Sequence, residues 1–542
     1  MFGSKGGTPS SPRTVAGESR VPPAPAAVVL ERHENTARRP PSLTESPGRT
    51  ALPPLSLPPL DPLLSLSDDF YRALGQRLRA LETAPAAATL DGIAPNSFGP
   101  AGRPVRLWHL RRSQRPVAAV LRAFVMADPT PYRELAAALG AETVARLLDV
   151  GLLVPDRDEL VGALRLIAHA GALLFCDDLA LGGNAVMGAG PYTTPLLESA
   201  LPTRRVGLAH DLGCGAGALA IGLAPRAERV IATDLNPRAV ALARLSVLLN
   251  DVHNVTVREG DLFAPLGAER PDLVVTQPPF LPRPPGANHA VFRDGGVRGD
   301  EVLRRLVAEL PERLAVEGRA LIVALVVAGS NGSSTSVVEG FAETEVDLIA
   351  LFAPGPDLDD FCAGNAAWNH PSLDEHHAAQ ACAMRSHLAE LGAERLEHLT
   401  LLLERREESR VWSVVPCDTI ARALPPGPKI DAHFAMERLL AGGEARILDS
   451  RARLVEDATL GHLTGLGQAH AVLPPHAPWG ELWLDEESRN VILEIHETPT
   501  VREGLASYAR RADLRDKGES LLPIVLSALR ARLLEVESTE ST

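Results

Sequence analysis

Residues 210–217 read His-Asp-Leu-Gly-Cys-Gly-Ala-Gly, and the chain on either side completes a nucleotide-binding unit. Arg205–Leu212 is apolar enough for a buried strand, and Gly213, Gly215 and Gly217 predict a tight turn. An Ala/Leu-rich helix, Ala218–Ala224, comes next, then a second strand, Arg229–Thr233, ending at Asp234. Glycines at such a turn let backbone N–H groups approach a ligand at a helix N-terminus, and an acidic residue about 20 positions on suits ribose hydroxyls. Gly-x-Gly-x-Gly is not the dinucleotide spacing, so the turn alone is a weak signal; the segments C-terminal to it give it weight.

Asp234-Leu235-Asn236-Pro237 opens a helix to about Leu249, with Pro in the first turn, where a missing N–H is harmless. Strand Asn254–Arg258 leads to Gly260-Asp261-Leu262-Phe263, and strand Pro271–Thr276 leads to Gln277-Pro278-Pro279-Phe280. In this order the segments resemble the class I S-adenosylmethionine (SAM)-dependent methyltransferases. Among these they are most similar to the amino-methylating branch marked by Asn-Pro-Pro-Tyr/Phe, which includes release-factor glutamine, ribosomal RNA guanine and DNA adenine methyltransferases. Arg293-Asp294-Gly295-Gly296-Val297-Arg298-Gly299, entering a helix at Asp300–Leu314, resembles the Gly-Gly-x-x-Gly segment of the glutamine enzymes.

Alternating strands and helices predict an α/β fold, a Rossmann-like doubly wound parallel sheet. Further strands are expected at Arg319–Val326, Glu345–Phe352 and Leu396–Arg405, with an insertion before the last carrying a helix near Ala378–Leu391 stopped by Gly392. The resemblance implies seven strands, the seventh antiparallel. Four regions are expected: a disordered Pro/Ser/Arg-rich tail over 1–65, a helical or winged-helix-like module with linker over 66–200, the methyltransferase core over 201–417, and a C-terminal α+β appendage over 418–542. In the module, Phe70–Leu81, Val117–Met126, Leu135–Leu139 and Glu142–Val150 read as helices, and Leu152–Pro155 with Glu159–Leu166 as a wing. Glu142, Arg146 and Asp149 are poor chemistry for a phosphate-lined groove. Leu164–Phe175 reads as a strand pair, and Val186–Pro195 is placed like the segment that lines the SAM and acceptor pocket in relatives.

Composition bounds the partners. The net charge of −14 argues against a general nucleic-acid-coating role. Arg103, Arg106, Arg111, Arg112 and Arg115 cluster beside Trp108 and His109; they read either as a contact for phosphate or an acidic partner, or as a solvated Arg-rich loop and helix start. Only three lysines occur among 54 basic residues, which implies a GC-rich bacterial coding bias. Five scattered cysteines without Cys-x-x-Cys spacing point to a reducing compartment, and no long apolar run occurs, so a cytoplasmic protein without membrane partners is expected. Asn369–His377 holds metal-ligand residue types, but a helix N-cap at Ser372 or Asp374 is the plainer reading, and no metal is expected.

The chemistry of the implied cofactor assigns roles. Asp211 suits the methionine ammonium, and Asp234 the two ribose hydroxyls. Asp261 and Leu262 suit the adenine amine and ring face, with Leu235 opposite. Gly213, Cys214, Gly215 and Gly217 form the loop beneath. Cys214 reads as a small space-filler. In the Asn-Pro-Pro-Tyr enzymes the Asn carbonyl accepts the acceptor's N–H bonds and the aromatic ring stacks on it, while prolines fix the backbone. Gln277, Pro278, Pro279 and Phe280 inherit those roles by position. Gln adds one methylene, moving the oxygen by roughly 1.5 Å. The expected function is SAM-dependent N-methylation of a planar nitrogen on a protein glutamine or an RNA base amine. The alternatives are a small-molecule O- or N-methyltransferase, and a decayed SAM-binding regulator. A pocket fitted for an acceptor beside Phe280 favours an enzyme; a blocked one favours the regulator.

Overall fold

The computed structural model describes residues 56–93, 102–287, 290–329, 336–339, 346–370, 373–407, 411–421, 423–463, 468–473, 477–478, 480–514 and 518–536. Its centre is a mixed eight-stranded sheet. In chain order the strands are β1 (Val206–Leu212), β2 (Ala227–Asp234), β3 (Val255–Glu259), β4 (Leu273–Thr276), β5 (Arg319–Ala328), β6 (Val346–Pro354), β7 (Arg395–Arg405) and β8 (Trp412–Pro416). They lie side by side as β8-β6-β7-β5-β4-β1-β2-β3. β7 runs antiparallel to both β5 and β6. The order reverses beside β1, whose neighbours are β4 and β2, and in such sheets ligands bind outside the carboxyl ends of strands at that reversal. The seven strands expected from the resemblance are joined by an eighth: Trp412–Pro416 pairs in parallel with β6.

The central strands are buried on both faces because helices cover both. Side chains alternate across the sheet: Ala209, Val230, Ala232, Val275 and Val323 belong to one core, Leu208, Leu212, Ile231, Val274 and Ile322 to the other. The first core lies against helices Ala218–Leu223 and Pro237–Leu249 and extends into the N-terminal module; the second lies against helix Glu301–Arg313. A third core holds the C-terminal region, in which Thr459–Leu463, Gln468–Val472 and Glu481–Asp485 form a three-stranded antiparallel sheet. The last helix, Leu522–Arg530, is followed by a strand, Leu534–Val536, paired with Ala452–Leu454. Among the described residues no helix is long and apolar enough to cross a membrane.

Residues 56–65, read as the end of a disordered tail, are instead folded onto the core. Asp61–Leu64 is a helical turn, and Leu60 and Leu63 are buried in the first core. Tyr71 Oη donates to Leu63 O at 2.7 Å, and Arg238 Nη1 donates to Pro58 O at 2.8 Å. Two buried leucines and two backbone acceptors, one of them reached from 180 residues away, provide enough contact to order a segment whose composition alone predicts none. Residues 1–55 lie outside the described residues.

In the module, Asp68–Ala80 lies along Pro237–Leu249, with Arg79 Nη1 donating to Leu249 O at 2.8 Å. Val117–Val120 continues into a π-helical turn, Leu121–Val125. Tyr132–Leu139 and Ala141–Asp149 come next, then the hairpin Leu153–Asp156/Glu159–Gly162. The wing strand read to Leu166 ends at Gly162, and a second hairpin, Arg165–His169/Ala172–Cys176, begins beyond it. On Ala141–Asp149, Arg146 pairs with Glu142 four residues back at 3.3 Å. Four of the five clustered arginines lie on a helix, Gly102–Arg112, with Arg115 beyond its end, and much of the cluster is engaged inside the module: Arg111 pairs with Asp128, Arg103 Nη2 donates to Met126 O at 2.8 Å, and Arg112 lies over Trp108.

Candidate functional site

A cavity of about 840 Å³ opens at the carboxyl ends of β1, β2 and β4. Its wall includes Asp211, Gly213, Cys214, Gly215, Asp234, Leu235, Asp261, Leu262, Gln277, Pro278, Pro279 and Phe280. Every residue assigned above to the cofactor or the acceptor therefore lines one space, with the exception of Gly217. Gly217 stands behind the wall as the start of helix Ala218–Leu223, at φ +86°, and a Cβ there would meet Ala243 Cβ at 3.3 Å. It shapes the turn and lets two helices approach, and it does not line the cavity.

The loop is held from below. Gly213 N and Cys214 N both donate to Thr233 O, at 2.8 and 2.9 Å, which ties the turn to the end of β2. Burial, with Asp211 and Asp234 nearby, pushes the Cys214 thiol well up, so it stays a neutral filler. Asp234 is clasped by two backbone N–H groups, Gly215 to Oδ2 and Asn236 to Oδ1, each at 2.9 Å. Burial raises its carboxyl, and these hydrogen bonds pull back toward the ionised form. Each oxygen keeps acceptor capacity toward the cavity, as two ribose hydroxyls require.

Asp211 is 1 % exposed. Its Oδ2 accepts from Ala220 N at 2.8 Å, while Oδ1 is buried without a partner among the described residues. Burial first, and the charge of Asp234 second, push its carboxyl up to about 7. A cationic ammonium is the group that an orphaned buried carboxylate oxygen accommodates best, so the donor set fits the methionine end of SAM. Because the folded-state value is raised, the stabilising contribution of the free protein's Asp211 is full below pH 3.8 and is lost as pH rises through about 7. An ammonium at Oδ1 favours the ionised form and reverses that preference. At pH 6 the binding of SAM is therefore expected to release close to one proton, and affinity should fall as pH drops below about 7. Calorimetry at pH 6 in buffers of different ionisation enthalpy reads the release. It should vanish in Asp211→Asn, and a buffer-independent heat in the native protein would overturn the assignment.

Asp261 lines the cavity, and its carboxylate is paired with Arg305 Nη2 at 2.5 Å, an ion pair the sequence does not announce. Leu262 remains in the wall, buried, in a left-handed conformation at φ +44°, and Leu235 is 58 % exposed on the rim.

The tetrapeptide Gln277–Phe280 leaves the end of β4, and Gln277 has no hydrogen-bond partner among the described residues. The Gly-Gly-x-x-Gly segment explains how the turn is held. Gly299, at φ +90°, packs so closely that a Cβ would meet Phe280 O at 2.7 Å, and Arg283 N and Gly295 N reach back to Gly296 O and Leu281 O, at 2.8 and 3.0 Å. Val186–Pro195 also takes its expected place: Val186, Met187, Gly188 and Gly190–Thr193 line the cavity. That segment is anchored by Asp177, whose Oδ2 accepts from Val186 N at 2.8 Å and whose carboxylate pairs with Arg238. Asp177 is 3 % exposed, and breaking such a buried pair costs about 3–5 kcal/mol.

The far wall comes from residues that carried no sequence signal. The insertion between β6 and β7 is two helices, Leu358–Asn369 and Glu375–Glu390, and the first brings Phe361, Gly364, Asn365 and Trp368 over the cavity. Tyr192 Oη lies 3.5 Å from the His398 ring nitrogens; burial lowers His398 and raises Tyr192, so both are neutral. Asp374 caps the second helix, accepting from His377 N at 3.0 Å, and Ser372 lies outside the described residues. Among the described residues no group of three or more His, Cys, Asp or Glu side chains gathers as a metal site.

Residues 191–343 match the family model described as the methyltransferase small domain. The chain is 39 % identical over 120 residues to a ribosomal protein uL3 glutamine methyltransferase of Bradyrhizobium diazoefficiens, covering 20 % of this chain and 37 % of that protein. It is 40 % identical over 151 residues to a release factor glutamine methyltransferase of Deinococcus radiodurans, covering 25 % and 52 %. It is 34 % identical over 114 residues to ribosomal RNA small subunit methyltransferase C of Alcanivorax borkumensis, covering 21 % and 31 %. The matched stretch thus spans about half or less of each of these relatives.

Proposed function

We propose, from the premise that residues 191–343 form a small methyltransferase domain of the class I fold, that this protein methylates a planar nitrogen of a macromolecule, with SAM as the donor. The observation that carries the proposal is the juxtaposition in one cavity of the orphaned Asp211 oxygen, the clasped Asp234 carboxylate and the unpartnered Gln277 carboxamide.

SAM, when bound, supplies an electrophilic methyl group. The protein's own work is orientation, since in-line displacement gains most from a held geometry. Asp211 and Asp234 hold the donor, with Leu262 and Leu235 placed for the adenine ring. The lone pair of a planar amide or aromatic amine is delocalised; accepting its N–H bonds on the Gln277 carbonyl favours the pyramidal form that can attack. Pro278 and Pro279 fix that turn, and Phe280 offers a face for stacking. Tyr192 lines the cavity with its hydroxyl 3.5 Å from the neutral His398 ring, so a proton leaving the acceptor can be relayed through the hydroxyl, which gives its own proton to the imidazole.

The cavity continues past Phe280 to Arg293 and Trp368, which supports an enzyme over a decayed binding protein. A glutamine side chain is the favoured acceptor. The relatives from Bradyrhizobium and Deinococcus are both named for glutamine methylation, and among the described residues the wall contains two arginines, fewer than a polyanionic RNA calls for. Mass spectrometry of proteins and RNA from cells with and without this chain tests the reading. A methyl mark on a protein glutamine, lost with the chain, is expected. A lost mark confined to RNA or to small molecules would overturn it.

A further inference from the structure

Arg293 sits where the cavity wall passes from the Gln277–Phe280 turn to helix Leu358–Asn369. Its carbonyl accepts from Leu281 N at 2.9 Å, and its guanidinium stands 5.2 Å from the centre of the Trp368 ring. The same guanidinium donates to Asn365 Oδ1. Asn365 is 5 % exposed and lines the cavity, and its Nδ2, which can only donate, has no partner among the described residues. No described carboxylate pairs with Arg293. The neighbouring Asp294 is committed elsewhere, to Arg283 Nε at 3.1 Å and Gly296 N at 3.0 Å. Burial lowers Arg293 to about 10, so it is charged at neutral pH.

A guanidinium withdrawn from water needs a counter-charge, and a planar fork beside an amide donor matches the two oxygens of a carboxylate. A phosphate chain is the poorer fit. RNA binding neutralises several phosphates with several cations, whereas the other arginine in this wall, Arg305, is tied to Asp261 at 2.5 Å, and the whole chain carries −14.

We propose that Arg293 and Asn365, against Trp368, form an oxyanion site that holds a side-chain carboxylate of the acceptor, so that the substrate is an acidic peptide with Asp or Glu close to the methylated glutamine. The substrate class rests on the proposed glutamine methylation; the oxyanion site does not.

The test uses the full chain and two arms. In the first, succinate is the probe and Trp368 fluorescence the signal, identified by its loss in Trp368→Phe. Succinate binding should weaken at least tenfold in Arg293→Gln and by an intermediate amount in Arg293→Lys, which keeps the charge but not the fork, while SAM affinity stays within threefold in both. In the second, acetylated pentapeptides with a central Gln flanked by Glu or by neutral Gln are compared. The native protein should prefer the acidic peptide at least tenfold in kcat/KM, and the preference should collapse in Arg293→Gln. Succinate binding unchanged in Arg293→Gln overturns the site. So does a fall of SAM affinity in step with it, which would make Arg293 a cofactor contact. Displacement of succinate by a short RNA rather than by the acidic peptide overturns the substrate class. If no glutamine peptide is methylated while succinate still depends on Arg293, the glutamine reading fails and the oxyanion site stands.

Discussion

Gln277→Ala is expected to lower turnover by about 10²-fold or more, the scale of losing one oriented hydrogen bond in a transition state, while SAM affinity changes less than threefold. The residue leaves the carboxyl end of β4 and lines the cavity without a partner among the described residues, so its removal takes an acceptor from the substrate and nothing from the protein. Asp211 and Asp234 keep their own backbone hydrogen bonds in the variant. Single-turnover rates together with calorimetric SAM affinity separate the two effects. Gln277→Asn is the sharper comparison, because it restores the first residue of the amine-methylating tetrapeptide and draws the carbonyl back by roughly 1.5 Å. An acceptor held as in the relatives should tolerate it or become less selective. Full activity in the alanine variant would make Gln277 a bystander and move the acceptor to another chemical class.

Asp234→Ala is expected to weaken SAM binding by about 1.5–3 kcal/mol, the range for a hydrogen bond to a charged group, which is roughly 10- to 150-fold. The structure adds a second cause. The carboxylate also receives Gly215 N and Asn236 N, so its loss frees two backbone donors and loosens the glycine turn as well as the ribose site. Asp234→Asn keeps one of its oxygens and should fall between. Calorimetry on folded protein, with melting as the check, reads the result. Unchanged affinity in a folded Asp234→Ala would remove the ribose assignment.

The cofactor half of the cavity was legible because its determinants are local. A strand, a turn rich in glycine, a helix and an acidic residue succeed one another within a few tens of residues, and each has a physical signature in residue order. The expected strand Arg205–Leu212 differs from the observed Val206–Leu212 by one residue, and Asp211, Asp234 and Gln277 fall at strand ends as expected. Local pattern misleads where a residue's partner is far away in the chain. Asp261 falls in the cavity wall as expected, but residue order does not show that Arg305 pairs with it. Gly217 reads only as part of the cofactor loop, and the fold adds that Ala243 packs against it. Leu60 and Leu63 sit in a stretch of tail-like composition until the first core receives them.

By itself the amino-acid sequence determined the alternation of strands and helices, the glycine turn, the strand-end carboxylates and the Gln-Pro-Pro-Phe turn, since hydrophobic period and turn chemistry act over short separations. Only the tertiary structure decided what closes the cavity. Helix Leu358–Asn369 joins its wall more than a hundred residues after Asp234, Asp177 meets Arg238, Trp412–Pro416 adds an eighth strand, and Arg293 finds Asn365 and Trp368. Burial and pairing at those places depend on which surfaces pack together, a property of the folded whole that no local pattern of residues carries.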